Sequence, residues 1–131
     1  MPFSFDDTRW PHVVMTVVGS ITADEEDAFS QQSTDLPLRG ERYTAIVDIS
    51  EAATPTPRFM RLQAAAQKRR DTELAAQCAG IAFVVRSPMI RGALKAILYL
   101  QPLPCPQTVV RTRDEAESWV SEALPQPQSS N

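Results

Sequence analysis

Several side chains in this sequence are of types that carry chemistry, and their spacing limits what that chemistry is. Asp48 and Ser50 stand two apart at the end of Tyr43-Thr-Ala-Ile-Val-Asp-Ile-Ser50. On an extended strand, residues two apart share a face, so the hydroxyl is a candidate for modification and the carboxylate a candidate acceptor for a partner's arginine. An Asp and a Ser at a strand exit also commonly bond the backbone of the turn that follows, and both readings stand. Thr56-Pro57-Arg58 and Arg86-Ser87-Pro88, with Arg91 a turn further on, form a second group. In each, a hydroxyl precedes a proline suited to the first position of a helix. Free N–H groups at two such helix starts, with arginines around them, would favour an anion, although ordinary caps and surface arginines give the same pattern.

Other reactive types are sparse. Cys78 and Cys105 lie 27 positions apart, and His12 is the only histidine. Cys78 sits in Ala-Ala-Gln-Cys-Ala-Gly, which reads as small-residue packing and not as the electropositive setting of a reactive thiolate. Cys105 falls in a proline-rich loop. With no second Cys or His at ligand spacing, a zinc site of the usual kind is excluded. There is no Gly-rich phosphate loop, catalytic triad or pair of catalytic carboxylates, so neither enzymatic activity nor a cofactor is expected.

The net charge of -3 hides an asymmetry. Residues 1–56 hold ten Asp and Glu against three Arg, whereas residues 57–131 hold ten Arg and Lys against six Asp and Glu. From Leu74 to Arg113 there is no acidic residue. Two solvated faces of opposite sign account for this, as does a basic surface for a partner or an anion. The basic residues lack interleaved aromatics and the whole chain is acidic, which speaks against nucleic acid. No apolar run approaches the roughly 18 residues of a membrane span, and the N-terminal residues are acidic where a signal peptide is basic. A cytoplasmic protein without integral membrane association is expected.

The elements that must position these residues follow from periodicity. Phe3–Asp7 and His12–Val18 read as an N-terminal hairpin at the sheet edge, closed by Arg9-Trp10-Pro11. Thr22-Ala-Asp-Glu25 is a capping box for a helix to about Thr34, with Ala28 and Phe29 inward. Tyr43–Ile49 and Gly80–Val85 are apolar on both faces, as buried parallel strands are, and should be central neighbours. The helix between them starts at Pro57 and carries Phe59, Leu62, Ala65 and Ala66 as its stripe, with Gly80 ending the helical part. In the helix after Ser87, Ile90, Ala93, Leu94, Ile97 and Leu98 are expected inward, with Arg91 and Lys95 on an exposed face. Thr108–Arg111 reads as a last strand, and Thr112-Arg-Asp-Glu115 caps a last helix with Ala116, Trp119, Val120 and Ala123 buried. Residues 1–124 are expected to form a single α/β domain, and residues 125–131 a flexible, polar, Pro-rich tail.

Four successive strand-helix turns, a strand ending Val-Asp-Ile-Ser, then Ala-Gly-Ile-Ala-Phe-Val-Val before a capped helix and a short last strand, resemble the SpoIIAA-like proteins of the STAS superfamily. The resemblance runs over residues 10–124 and rests on the order and spacing of the whole. It implies a mixed, mostly parallel sheet of about five strands with four helices. It also implies a non-catalytic regulatory domain in a bacterial setting, in the way that anti-sigma-factor antagonists bind a kinase. The leading expectation is a domain that binds another protein, or a second copy of itself, through an exposed helix face. The phosphorylated antagonists carry an Asp-Ser-Ser-Gly type sequence at a helix start, and none occurs here. The alternative is a binder of a small anionic or lipid-like ligand where the helices begin. On either reading the partner-facing residues are Asp48, Ser50, Thr56, Arg58, Arg86, Ser87 and Arg91.

Overall fold

The computed structural model of the chain describes residues 3–53, 57–58, 61–62, 65, 68, 71–100 and 103–124, with Ile97 by its backbone alone. β1 (Phe3–Arg9) and β2 (His12–Gly19) form an antiparallel hairpin, its turn closed by the Trp10 N–H on the Asp7 carbonyl at 3.0 Å. α1 (Ala23–Asp35) passes through a 3-10 turn (Leu36–Arg39) into β3 (Tyr43–Ala52). Beyond β3 the described residues Pro57, Arg58, Arg61, Leu62, Ala65 and Lys68 are helical, and α2 (Asp71–Gln77) leads into β4 (Cys78–Val84). α3 (Pro88–Leu100), β5 (Gln107–Val110) and α4 (Arg113–Ala123) follow. The expectations placed on Thr56, Phe59, Ala66 and the tail 125–131 fall outside the described residues.

The strands lie in chain order, β1-β2-β3-β4-β5, and β2 through β5 are parallel. β3 and β4 are therefore neighbouring inner strands, as their apolar runs required. His12 begins an inner strand too, and not one at the sheet edge, because β3 pairs with the free side of β2. Right-handed crossovers through strands in this order bring their helices to one face. Phe29 of α1 and Leu74 of α2 accordingly pack with Val13, Met15, Tyr43, Ala45 and Val47 in the larger core. α4 comes after the last strand and closes the opposite face, where Ala116 and Val120 meet Ile46, Ala82 and Val84.

Both capping boxes form. Thr22 Oγ1 accepts from the Glu25 N–H at 3.2 Å and Glu25 Oε1 from the Thr22 N–H at 2.8 Å, and Thr112 and Glu115 repeat the exchange at the start of α4. Elsewhere the packing departs from expectation. In α1, Ala28 is exposed and Glu26 is buried beside Phe29. In α3, Leu94 and Leu98 are half-buried, but Ala93 is exposed and Ile90 is 41% exposed. Lys95 is exposed as expected, whereas Arg91 is half-buried. α3 turns out this way because it meets chiefly the four-residue edge strand β5, which is too short to cover a thirteen-residue helix.

β4 begins at Cys78, so Gly80 ends no helix and sits within the strand. A Cβ at Gly80 would stand 2.7 Å from Cη2 and Cζ3 of Trp119 and 3.3 Å from Ala123 Cβ. The glycine is there to let the indole lie on the strand backbone. Gly80→Ala is expected to destabilise the fold by about 1–3 kcal/mol through overpacking. Adding Trp119→Leu, which removes the clashing ring edge, should recover part of that loss. Urea denaturation of both single variants and the double variant measures the coupling.

Candidate functional site

Asp48 lies where the pairing of β3 with β4 ends, on the face covered by α4. Its neighbours in register are Thr16 and Val84. Between Thr16 and Val18 of β2, β3 advances from Asp48 to Glu51, one residue more than its partner. This is a bulge, and bulges leave backbone groups to be satisfied locally. Asp48 Oδ1 accepts from the Ser50 N–H at 3.1 Å and from the Ser50 hydroxyl at 2.7 Å. Its other oxygen, Oδ2, accepts from Arg113 Nη1 at 3.0 Å. The carboxylate thus bonds its own turn and also ties the first residue of α4 to the central strand. Arg113 Nε faces Glu117 Oε2 at 3.6 Å, an ion pair too long for a hydrogen bond.

Two of the arginines expected at the helix starts, Arg58 and Arg91, are engaged by acceptors within the protein. Arg58 donates to Glu26 at 2.6 Å and to Asp27 at 3.0 Å, both on α1. Hydrogen bonds to these carboxylates, Glu26 first, raise the pKa of the guanidinium further above its ordinary value. Arg91 Nη1 donates to the carbonyls of Val85 at 3.2 Å and Arg86 at 2.9 Å, closing the exit of β4. Ser87 Oγ accepts from the Ile90 N–H at 3.4 Å and so caps α3. Arg86 is exposed beside it, and Thr56 is outside the described residues.

At the other end of β3, His12 Nδ1 is hydrogen-bonded to Thr44 Oγ1, and Thr44 is fully buried. Burial lowers the His12 pKa below its ordinary 6.5. Cys78 is buried in the larger core, with Cys105 packed against that core. Among the described residues no group of three His, Cys, Asp or Glu side chains is placed to hold a metal ion, and no helix is long and apolar enough to cross a membrane. Two open depressions run along the outer side of α4, lined by Asp114, Glu117, Ser118 and Glu122 among others.

Arg113, Glu26 and Thr44 are the partners that sequence reasoning missed. Two of them left a trace. An arginine at the first position of a helix opposes the helix dipole, and four consecutive acids from Asp24 to Asp27 exceed what a capping box uses. Each anomaly asks for a tertiary partner of opposite charge.

No family model and no curated protein matches the chain. Solved structures do. An uncharacterized protein from the DUF3478 family with a SpoIIAA-like fold, from Shewanella loihica PV-4, superposes with a TM-score of 0.67 at 12% identity, covering 90% of this chain and 91% of its own. An anti-sigma factor antagonist from Mycobacterium paratuberculosis superposes with a TM-score of 0.54 at 16% identity, covering 90% and 92%. The chain has the SpoIIAA-like, or STAS-like, fold.

Removing Asp48 leaves the Ser50 N–H and the Arg113 guanidinium without their acceptor, so Asp48→Ala is expected to cost on the order of 1–3 kcal/mol. Arg113→Ala should cost less, because Ser50 still satisfies one carboxylate oxygen. A double-mutant cycle in urea reads the coupling between them. For His12, the folded chain favours the neutral ring, so the unfolded chain binds its proton more readily. The stability this contributes is complete above the unfolded pKa and is lost as pH falls through it. The imidazole of this sole histidine should titrate below 6.5 by NMR. His12→Gln should flatten that part of the stability–pH curve.

Proposed function

We propose that this protein is a non-catalytic, regulatory protein-interaction domain of the cytoplasm, and that α3 presents its docking face. The observation that carries this reading is the exposure of the chain's most apolar helix. Met89 is 83% exposed, Tyr99 86% and Leu100 78%. Large exposed apolar groups gathered on one element mark a surface that another molecule covers. Arg86 and Ser87 lie at its margin, where α3 begins. The polar groups that could have served catalysis have other work: Asp48 holds Ser50 and Arg113, and His12 holds Thr44. Arg58 and Arg91 are occupied by protein acceptors, which weighs against a small anion at the helix starts. The fold shared with an anti-sigma factor antagonist is consistent with a regulatory role, although fold alone does not carry function.

A photo-cross-linking residue placed at Met89 or Tyr99 in living cells is expected to capture protein, whereas one at Glu122 on the outer side of α4 is not. Capture at α3 no greater than at Glu122 would remove α3 as the docking face.

A further inference from the structure

α3 has two apolar sides. Leu94 and Leu98 turn towards the sheet and are half-buried. Met89, Ala93, Ala96 and Leu100 are all exposed, and their spacing of four, three and four residues is that of a coiled-coil seam. At 3.6 residues per turn they fall within about 60° of arc, on the side away from Leu94 and Leu98.

We infer that this outer stripe pairs with the same stripe of a second copy, antiparallel, about a two-fold axis midway along α3. The inference rests on the reading of α3 as a docking face and names its occupant. The stripe reads large, small, small, large from either end, with the same spacings in both directions. A two-fold axis between Leu94 and Lys95 therefore sets Met89 against Leu100 of the second copy and Ala93 against its Ala96. This is the self-complementarity that an isologous interface requires. On one flank, Tyr99 of each copy lies over Gly92 of the other, where even a Cβ would meet nothing within 4 Å. The central alanines let the helix backbones approach closely, and the large residues at the ends close over them.

Charge favours the same occupant. Arg91 and Lys95 are the only charged residues of α3. Arg91 is turned to the carbonyls of Val85 and Arg86. Lys95 lies about 130° round the helix from the stripe. Pairing brings no like charges together, whereas an acidic partner would need cations along the rim of the stripe. An anionic membrane calls for a cluster of roughly four to eight basic residues, and for protruding apolar side chains where this stripe is hollowed by alanines.

A thirteen-residue helix is about 20 Å long. One such pair falls short of the roughly 800 Å² per partner of a standard interface, so the dimer is expected to be weak and reversible. Sedimentation equilibrium of the purified full chain across the micromolar range should show a monomer–dimer equilibrium. Ala93→Glu with Ala96→Glu, which sets carboxylates against carboxylates across the axis, should leave it monomeric with an unchanged melting temperature. Ala93→Glu with Ala96→Lys sets opposite charges across the same axis and should restore the dimer in a salt-sensitive way. A chain monomeric at every concentration, including one that instead binds anionic vesicles, overturns the inference. So does a dimer indifferent to the double Glu change, or one that the Glu and Lys pair fails to restore. A monomer that still cross-links a different protein through Met89 or Tyr99 overturns self-association alone and leaves the docking face standing.

Discussion

α4 can lie across β3 and β4 only because Gly80 offers the Trp119 ring a backbone without a side chain, with ring atoms where a Cβ would stand 2.7 Å away. That close approach seats Ala116 and Val120 on Ile46, Ala82 and Val84. It makes β3 a strand covered on both faces and buries most of the Asp48 carboxylate near its end. Asp48 is then obliged to find partners within the protein, because a buried charge without them is costly. Ser50 and Arg113 are those partners. Arg113 at the first position of α4 works against the helix dipole, and the Asp48 carboxylate offsets that cost where it arises.

Cover on the other side of the sheet is uneven. α1 and α2 bury Phe29 and Leu74 in the larger core, while α3, at the end of the series, meets chiefly the short strand β5. A helix so placed buries one apolar side and leaves the other exposed. Its exposed side is as regular as its buried one, with a heptad-like spacing that loose packing does not require. For this reason the surface, and not a cleft, carries the functional reading.

The likeness to an anti-sigma factor antagonist and to an uncharacterized SpoIIAA-like protein rests on the path of the chain, with identities of 16% and 12%. Such a fold is a scaffold on which different surfaces are built. The surfaces of this chain have their own logic. Its acidic first half and basic second half meet where Arg58 reaches Glu26 and Asp27, so part of the charge asymmetry is spent inside the molecule.

Local patterns settled much of this architecture in advance. Thr22 with Glu25 and Thr112 with Glu115 set two helix starts, because a capping box is a contact among four consecutive residues. The unbroken apolar runs around Ile46 and Ala82 marked buried parallel strands, because only a strand covered on both faces drops its polar alternation. Periodicity could not say which apolar side of α3 faces the core. Ile90 and Ala93 suit an inward stripe by spacing, yet exposure depends on how much sheet lies beneath, and β5 supplies four residues. Nor could spacing show that Arg58 turns to Glu26, that Arg113 turns to Asp48 across 65 positions of chain, or that Gly80 serves Trp119 and ends no helix. Those are contacts between distant segments, and a residue's type says only that it needs a partner. Which partner it gets is decided when the chain brings the two together.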